Sequence, residues 1–301
     1  MAIKAISGAL TKEESSQVFT GDSDLYLVGE ALPFTIKMYE SLLEANPGHL
    51  GLLQTTGSLI VMYAHAFVQR PAEQLPREMF IERQAAMERA RKLYLRGNEL
   101  LYRGLELRYP GFDGAFQRGE PPGLLPTILA KMEKDDLPFL YWAAVAGISA
   151  YSLNPFDLGL GLRLQEFLAL INRSYELDPD FNSGALDEFY LLYYASIPET
   201  MGGDKSRAEI HFQRAREKSK GLLASPYVSY AQSVSIPAQD YDSFIKYLEA
   251  ALAIDPDADP PRRLVNTISQ QRARHLLASA SQYFFLLGSD DWDDWDEDLY
   301  L

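Results

Sequence analysis

Residues 202–256 read GGDKSRAEIHFQRAREKSKGLLASPYVSYAQSVSIPAQDYDSFIKYLEAALAIDP. Ala208, Phe212 and Ala215 are followed 36 residues later by Phe244, Leu248 and Ala251. Pro256 comes five residues after the second set; Lys220 stands at that place after the first. Offsets of four and three keep each set on one helical face. Small residues let a neighbouring helix approach, and the large one fills the gap between the two. A proline then ends the helix, because the residue before it is pushed out of the α region.

This pattern resembles the second helix of a tetratricopeptide repeat, whose nominal spacing is about 34 residues. Phe167, Ile171, Ser174 and Pro179 give a third match, with Gly147 at the crossing position of the partner helix. Weaker matches lie at Tyr39, Leu42 and Pro47 and at Tyr102, Leu105 and Pro110. The uneven proline spacing points to degenerate repeats with insertions. No Val/Ile/Thr alternation is long enough for a strand. The expected fold is all-α, a degenerate tetratricopeptide-like solenoid of helical hairpins with twelve to fourteen helices, one domain over residues 1–288.

Composition narrows the function. The net charge of −14 argues against a nucleic-acid partner. Seven acids crowd residues 289–301, and without them the net charge is −7. There is no cysteine, so disulfides and thiolate metal sites are excluded. No uninterrupted apolar run reaches the roughly 18 residues of a membrane span. The start, Met1 to Ile6, lacks a basic stretch followed by an apolar one.

Along the chain, Leu25–Ala45 has helical spacing, with Pro33 expected to split it near Leu32. Leu50–Val68 reads as a buried helix with Gly57 at a close crossing, broken at Gln69-Arg70-Pro71. Arg77–Tyr109 is a long helix, and 111–123 a loop, with a short helix after Pro126. Asp135-Asp136-Leu137-Pro138 starts the next helix. Asn182 or Ser183 is expected to cap a helix running to Ala195, and Pro261–Leu287 to form the final helix.

The motifs for chemistry are weak. His49, His65, His211 and His275 have no ligand spacing and read as helix-surface or satisfied interior residues. Asp255, Asp257 and Asp259 begin like a calcium loop, but Pro260 replaces the required Gly and Asn266 stands at position twelve. Ser243 and Lys246 match a Ser-x-x-Lys string inside a repeat helix, without partner motifs. No phosphate loop and no GxSxG or GxGxxG occurs. The chain is read as a non-enzyme with no metal or cofactor.

The runs MGGDKSRAEIHFQRAREKSKG, PYVSYAQ and QDYDSFIKYLEAALAIDPDADPPRRLVNTISQQRARHLL resemble the TatT family. So do DDLPFLYWAAVAGISAYSL and the helix ending at Tyr175–Pro179. These are the T components of TRAP (tripartite ATP-independent periplasmic) transporters, and the resemblance covers roughly residues 30–288. It implies a periplasmic lipoprotein, lipid-anchored through an N-terminal Cys and assembling as a homotrimer. It implies association with the solute-binding subunit, and a pore or cleft for a small organic acid or hydrophobic ligand. The alternative is a general tetratricopeptide scaffold or chaperone clamping an extended peptide in its concave groove.

Repeat numbering places Tyr141, Ala144, Ile148 and Tyr151, then Tyr190, Tyr193, Ile197 and Thr200, on the concave face. Tyrosine suits an amphipathic groove, since it offers apolar area with a polar tip. The competing reading makes these core aromatics. The tail SDDWDDWDEDLYL (289–301) is expected to dock through Trp292, Trp295, Tyr300 and Leu301.

Overall fold

A computed structural model describes residues 13–118 and 123–285. The tail expectation, with Trp292, Trp295 and Tyr300, lies outside them. Among the described residues there are helices and no strands. Helix α1 is Glu13–Thr20. The chain beyond divides into two compact units, 26–179 and 180–285, with 19–25 belonging to the second.

In the first unit, α2 is Leu25–Ala45. Pro33 lies inside it and does not end it: Val28, Leu32, Ile36 and Tyr39 are all buried, so packing on both sides holds the helix through the missing hydrogen bond. Helix α3, Leu50–Tyr63, is capped by His49, whose Nδ1 accepts from the Leu52 amide. It runs on through a π-helical turn, Ala64–Gln69, into α4, Arg70–Glu73. The expected break at Pro71 is absent for a specific reason. The Arg70 backbone amide donates five residues back, to the His65 carbonyl, and the widened turn accommodates the proline that follows. The 50–73 stretch has the length and apolarity of a membrane span, but 61% of that window is buried within the protein, as in a core helix.

Helix α5 is Phe80–Arg108, and α6, Phe112–Arg118, is a helix where a loop was expected. Phe112, Ala115 and Phe116 are buried there, and burying this face repays the short helix. The remaining helices of the unit are α7 (Leu124–Leu129), α8 (Leu137–Leu153), α9 (Leu158–Leu162) and α10 (Leu164–Leu177). Successive partners are α3 on α5, α5 on α8 and α8 on α10. Glycines set the closeness of these crossings. A Cβ on Gly57 would lie 2.7 Å from Leu101 and 3.0 Å from the Gly97 carbonyl, and one on Gly147 would enter the Phe167 ring. Asn98 ties α5 to α8 through its Nδ2 donating to the Ala143 carbonyl at 2.7 Å. Asp136, fully buried before α8, pairs with Arg108 Nε at 2.8 Å and accepts from the Tyr109 hydroxyl at 2.6 Å.

In the second unit, α11 is Ala185–Ser196 and α12 is Lys205–Lys218. Neither Asn182 nor Ser183 caps α11. Both have positive φ, and Gly184 takes the cap position, while the Ser183 hydroxyl accepts from Arg262 Nη2 at 2.5 Å. Helix α12 is capped by Asp204, accepting from the Arg207 amide. Helix α13, Ser225–Tyr230, continues through a second π turn, Ala231–Ser235, into α14, Ile236–Ala238. The Ile236 backbone amide donates five back to the Ala231 carbonyl and Pro237 follows. Helices α15 (Tyr241–Leu252) and α16 (Arg263–Ala278) complete the unit. The last helix ends at Ala278, before the expected Leu287, with a 3-10 turn at Ala280–Gln282. The core gathers Ala208, Phe212, Phe244, Leu248, Ala251 and Leu276.

Candidate functional site

The tyrosines placed on the concave face divide between the units. On α8 of the first, Tyr141, Ile148 and Tyr151 are partly exposed, whereas Ala144 is fully buried. Tyr141 meets Trp142 edge-on at 5.1 Å. On α11 of the second, Tyr190 and Tyr193 are partly exposed, as is Ile197 where the helix ends in extended backbone.

The second unit builds the richer surface. The run FYLLYY puts Phe189 with Tyr193, and Tyr190 with Tyr194, at i,i+4 on one helix. Their rings stack, at 6.3 Å and 14° and at 6.0 Å and 22°. The His211 imidazole of α12 stacks on both Tyr190, at 4.9 Å, and Tyr194, at 5.7 Å. Arg207 lies over the Tyr194 ring at 5.4 Å.

Beneath this aromatic layer Asp187 is fully buried. It bonds His211 Nδ1 and the Lys218 ammonium, both at 2.7 Å. Burial pushes the Asp187 carboxyl up, but the bonds from His211 and Lys218 outweigh it and hold the group below its usual value of 3.8. Glu188 receives the hydroxyls of Ser225 and Ser229, each at 2.7 Å, which fastens α11 to α13.

A second aromatic group lies between α12, α13 and α15. Phe212 is 4.4 Å from Tyr230 and 5.0 Å from Tyr247. A polar chain runs along its edge. Gln213 donates to Glu209, Arg216 donates to Gln213, and Arg216 Nε donates to the Tyr227 hydroxyl at 3.2 Å. Burial, then the bond to Glu209, pushes the Tyr230 hydroxyl well above its usual value.

Of the residues singled out from sequence, Tyr190 and Tyr193 enter a shared aromatic surface on α11. Its partners Tyr194, Asp187 and Arg207 were not singled out, and His211 was read only as a helix-surface or satisfied interior residue. The i,i+4 aromatic pairs in FYLLYY were the available signal; the His211–Asp187 pair spans 24 residues and has no local one. The four histidines are accounted for individually. His49 caps α3, and His65 Nδ1 lies 3.3 Å from the Tyr94 hydroxyl. His211 pairs with Asp187, and His275 is part-buried on α16 beside Arg272. Asp255 caps a 3-10 turn, Asp257 pairs with Arg263 at 2.5 Å and Asp259 with Arg262 at 3.1 Å. Ser243 and Ser235 share a hydrogen bond at 3.0 Å, and Lys246 lies over the Tyr247 ring. No group of three metal-ligating side chains occurs among the described residues.

The surface is thus a set of stacked rings, most of them polar-tipped, on two packed helices, suited to contact and binding. The family model described as TRAP transporter T-component matches residues 21–284. A protein of Treponema pallidum (strain Nichols), described only as uncharacterized, is 34% identical over 275 residues, covering 91% of this chain and 85% of that one. The match spans both units, from the start of α2 to the turn after α16, and the chain belongs to the T-component family of TRAP transporters.

Proposed function

We propose that this chain is a non-enzymatic periplasmic accessory of a TRAP transporter that docks the solute-binding subunit. In this reading it takes up a small organic acid or hydrophobic ligand along its tyrosine-bearing helix faces. It works as a homotrimer held at the membrane by an N-terminal lipid on a cysteine that the present sequence, which has none, does not include. The observation that carries the proposal is the family match over residues 21–284. The partly exposed stack of Tyr190, Tyr193, Tyr194 and His211 supports the contact role, since aromatic rings with polar tips are enriched where proteins meet. The helix pairs are read as degenerate tetratricopeptide units, and the full burial of Phe167, Phe212 and Phe244 supports that reading.

The test is light scattering after size exclusion, on the chain alone and mixed with a TRAP solute-binding protein from the same organism. A trimer that gains up to one partner per protomer is the expected result. A monomer that ignores the partner overturns the reading and favours the peptide-clamping scaffold.

A further inference from the structure

Arg163 stands at the junction of α9 and α10, inside the first unit, and three aromatic rings surround it. Its guanidinium carbon lies 4.8 Å from the Phe116 ring centre, 5.1 Å from Tyr102 and 5.3 Å from Phe167. Rings attract a cation through their faces but offer no acceptor to its in-plane N–H groups. Nε and Nη2 of Arg163 are shielded from solvent and have no hydrogen-bond partner among the described residues. Those two nitrogens form one edge of the guanidinium fork, the edge that grips both oxygens of a carboxylate. Arg83, Arg91 and Arg173 of the same unit each leave Nε alone without an acceptor, whereas their Nη groups are held, Arg91 by Asp157 and Arg173 by Glu176; at Arg163 both atoms of the edge are left.

One turn further on, Glu166 Oε2 is likewise enclosed without a partner. The two opposite charges are three residues apart and make no ion pair with each other among the described contacts. Arg163 is at once the residue that closes α9 and the one that opens α10, and no side chain caps the start of α10. Both residues are partly buried, but polar atoms enclosed without a partner on both sides of a junction are costly, and a molecule with an acceptor pair and a donor relieves both.

We propose that Arg163 and Glu166 form a binding site for a small hydroxycarboxylate. The carboxylate bridges Nε and Nη2 of Arg163, the hydroxyl donates to Glu166 Oε2, and the carbon skeleton rests on Phe116 and Phe167. Because the fork edge is closed to solvent, entry displaces one of the covering side chains. The proposal deepens the reading above by naming a ligand class, and rests on the part of it in which this chain takes up a ligand.

The test is titration calorimetry of this chain alone with L-lactate at constant ionic strength. Propionate serves as the probe lacking the hydroxyl and lactamide as the probe lacking the charge. Saturable one-to-one binding of lactate, weaker binding of propionate and none of lactamide is expected. Arg163→Lys keeps the charge but loses the planar fork, and is expected to lower lactate affinity at least tenfold with the helical signal unchanged. Glu166→Gln is expected to bring lactate affinity down to that of propionate. Absence of saturable lactate binding, or equal lactate affinity in both variants and the parent, overturns the proposal. Either leaves docking of the solute-binding subunit, read by light scattering, standing on its own.

Discussion

Substituting Gly147 by Ala tests the closeness of α8 and α10 directly. An ideal Cβ at Gly147 would stand 2.1 Å from Phe167 Cε1, 2.2 Å from Cζ and 2.8 Å from Cδ1. Carbon atoms prefer roughly 3.5–4 Å, so the overlap exceeds an ångström. The ring cannot swing clear: Phe167 is fully buried, with the Phe116 ring 5.5 Å away and Arg163 on another side. Relief therefore comes from parting the helices. Overpacking of this kind costs about 1–3 kcal/mol, here near the top of the range. Against it, Ala gains about 1 kcal/mol over Gly in a helix interior. The expected net loss is about 2 kcal/mol, measured by urea unfolding followed by far-UV circular dichroism. Phe167→Leu removes the ring atoms in the way, so in that background Gly147→Ala is expected to be neutral or stabilising by up to about 1 kcal/mol. An equal cost of Gly147→Ala in both backgrounds, or a gain beside the native Phe167, would refute the close crossing.

Asp187→Asn is expected to lower stability at neutral pH by about 2–4 kcal/mol, because it leaves the Lys218 charge short of its buried partner. The native carboxyl sits below 3.8 in the fold, so its contribution is present above that value and is lost as pH falls through the folded value; the variant's acid limb is expected to be flatter, read by melting temperature against pH. Burial, then the nearby Arg272, lowers His275 below 6.5, so the folded state binds fewer protons than the unfolded one. Stability is expected to fall as pH drops below 6.5, and His275→Gln to remove that slope. Replacing both Tyr190 and Tyr193 by Ala is expected to weaken capture of the solute-binding subunit by tenfold or more with little change in melting, since both rings are partly exposed; unchanged capture removes this surface from the interface.

The one-face spacing of apolar and small residues was legible because it is local. Phe167, Ile171 and Ser174, then Ala208, Phe212 and Ala215, then Phe244, Leu248 and Ala251 are fully buried, as their spacing demands. Interruptions were harder to read, since they depend on distant partners. Pro33 is held within α2 by burial on both sides, and α6 forms because its phenylalanines have a core to enter. At the candidate site the tyrosines of α11 stood out by residue type. Asp187 and His211 are joined only once α11 lies on α12, and Arg163 gains its three rings from α5, α6 and α10.

The two π turns carry a consequence for how chains of this kind can change length. An ordinary α-helix turns about 100° per residue, so an added residue would swing every later side chain onto another face. A π turn takes in the added residue within a single wider coil. In both units this coil lies just before a proline, Pro71 or Pro237, which has no amide hydrogen to miss its normal acceptor. Extra residue and proline are therefore a matched pair. Deleting one residue of the coil while keeping the proline would turn every later side chain by about 100°, whereas replacing the proline alone restores an amide and leaves the helix faces where they are.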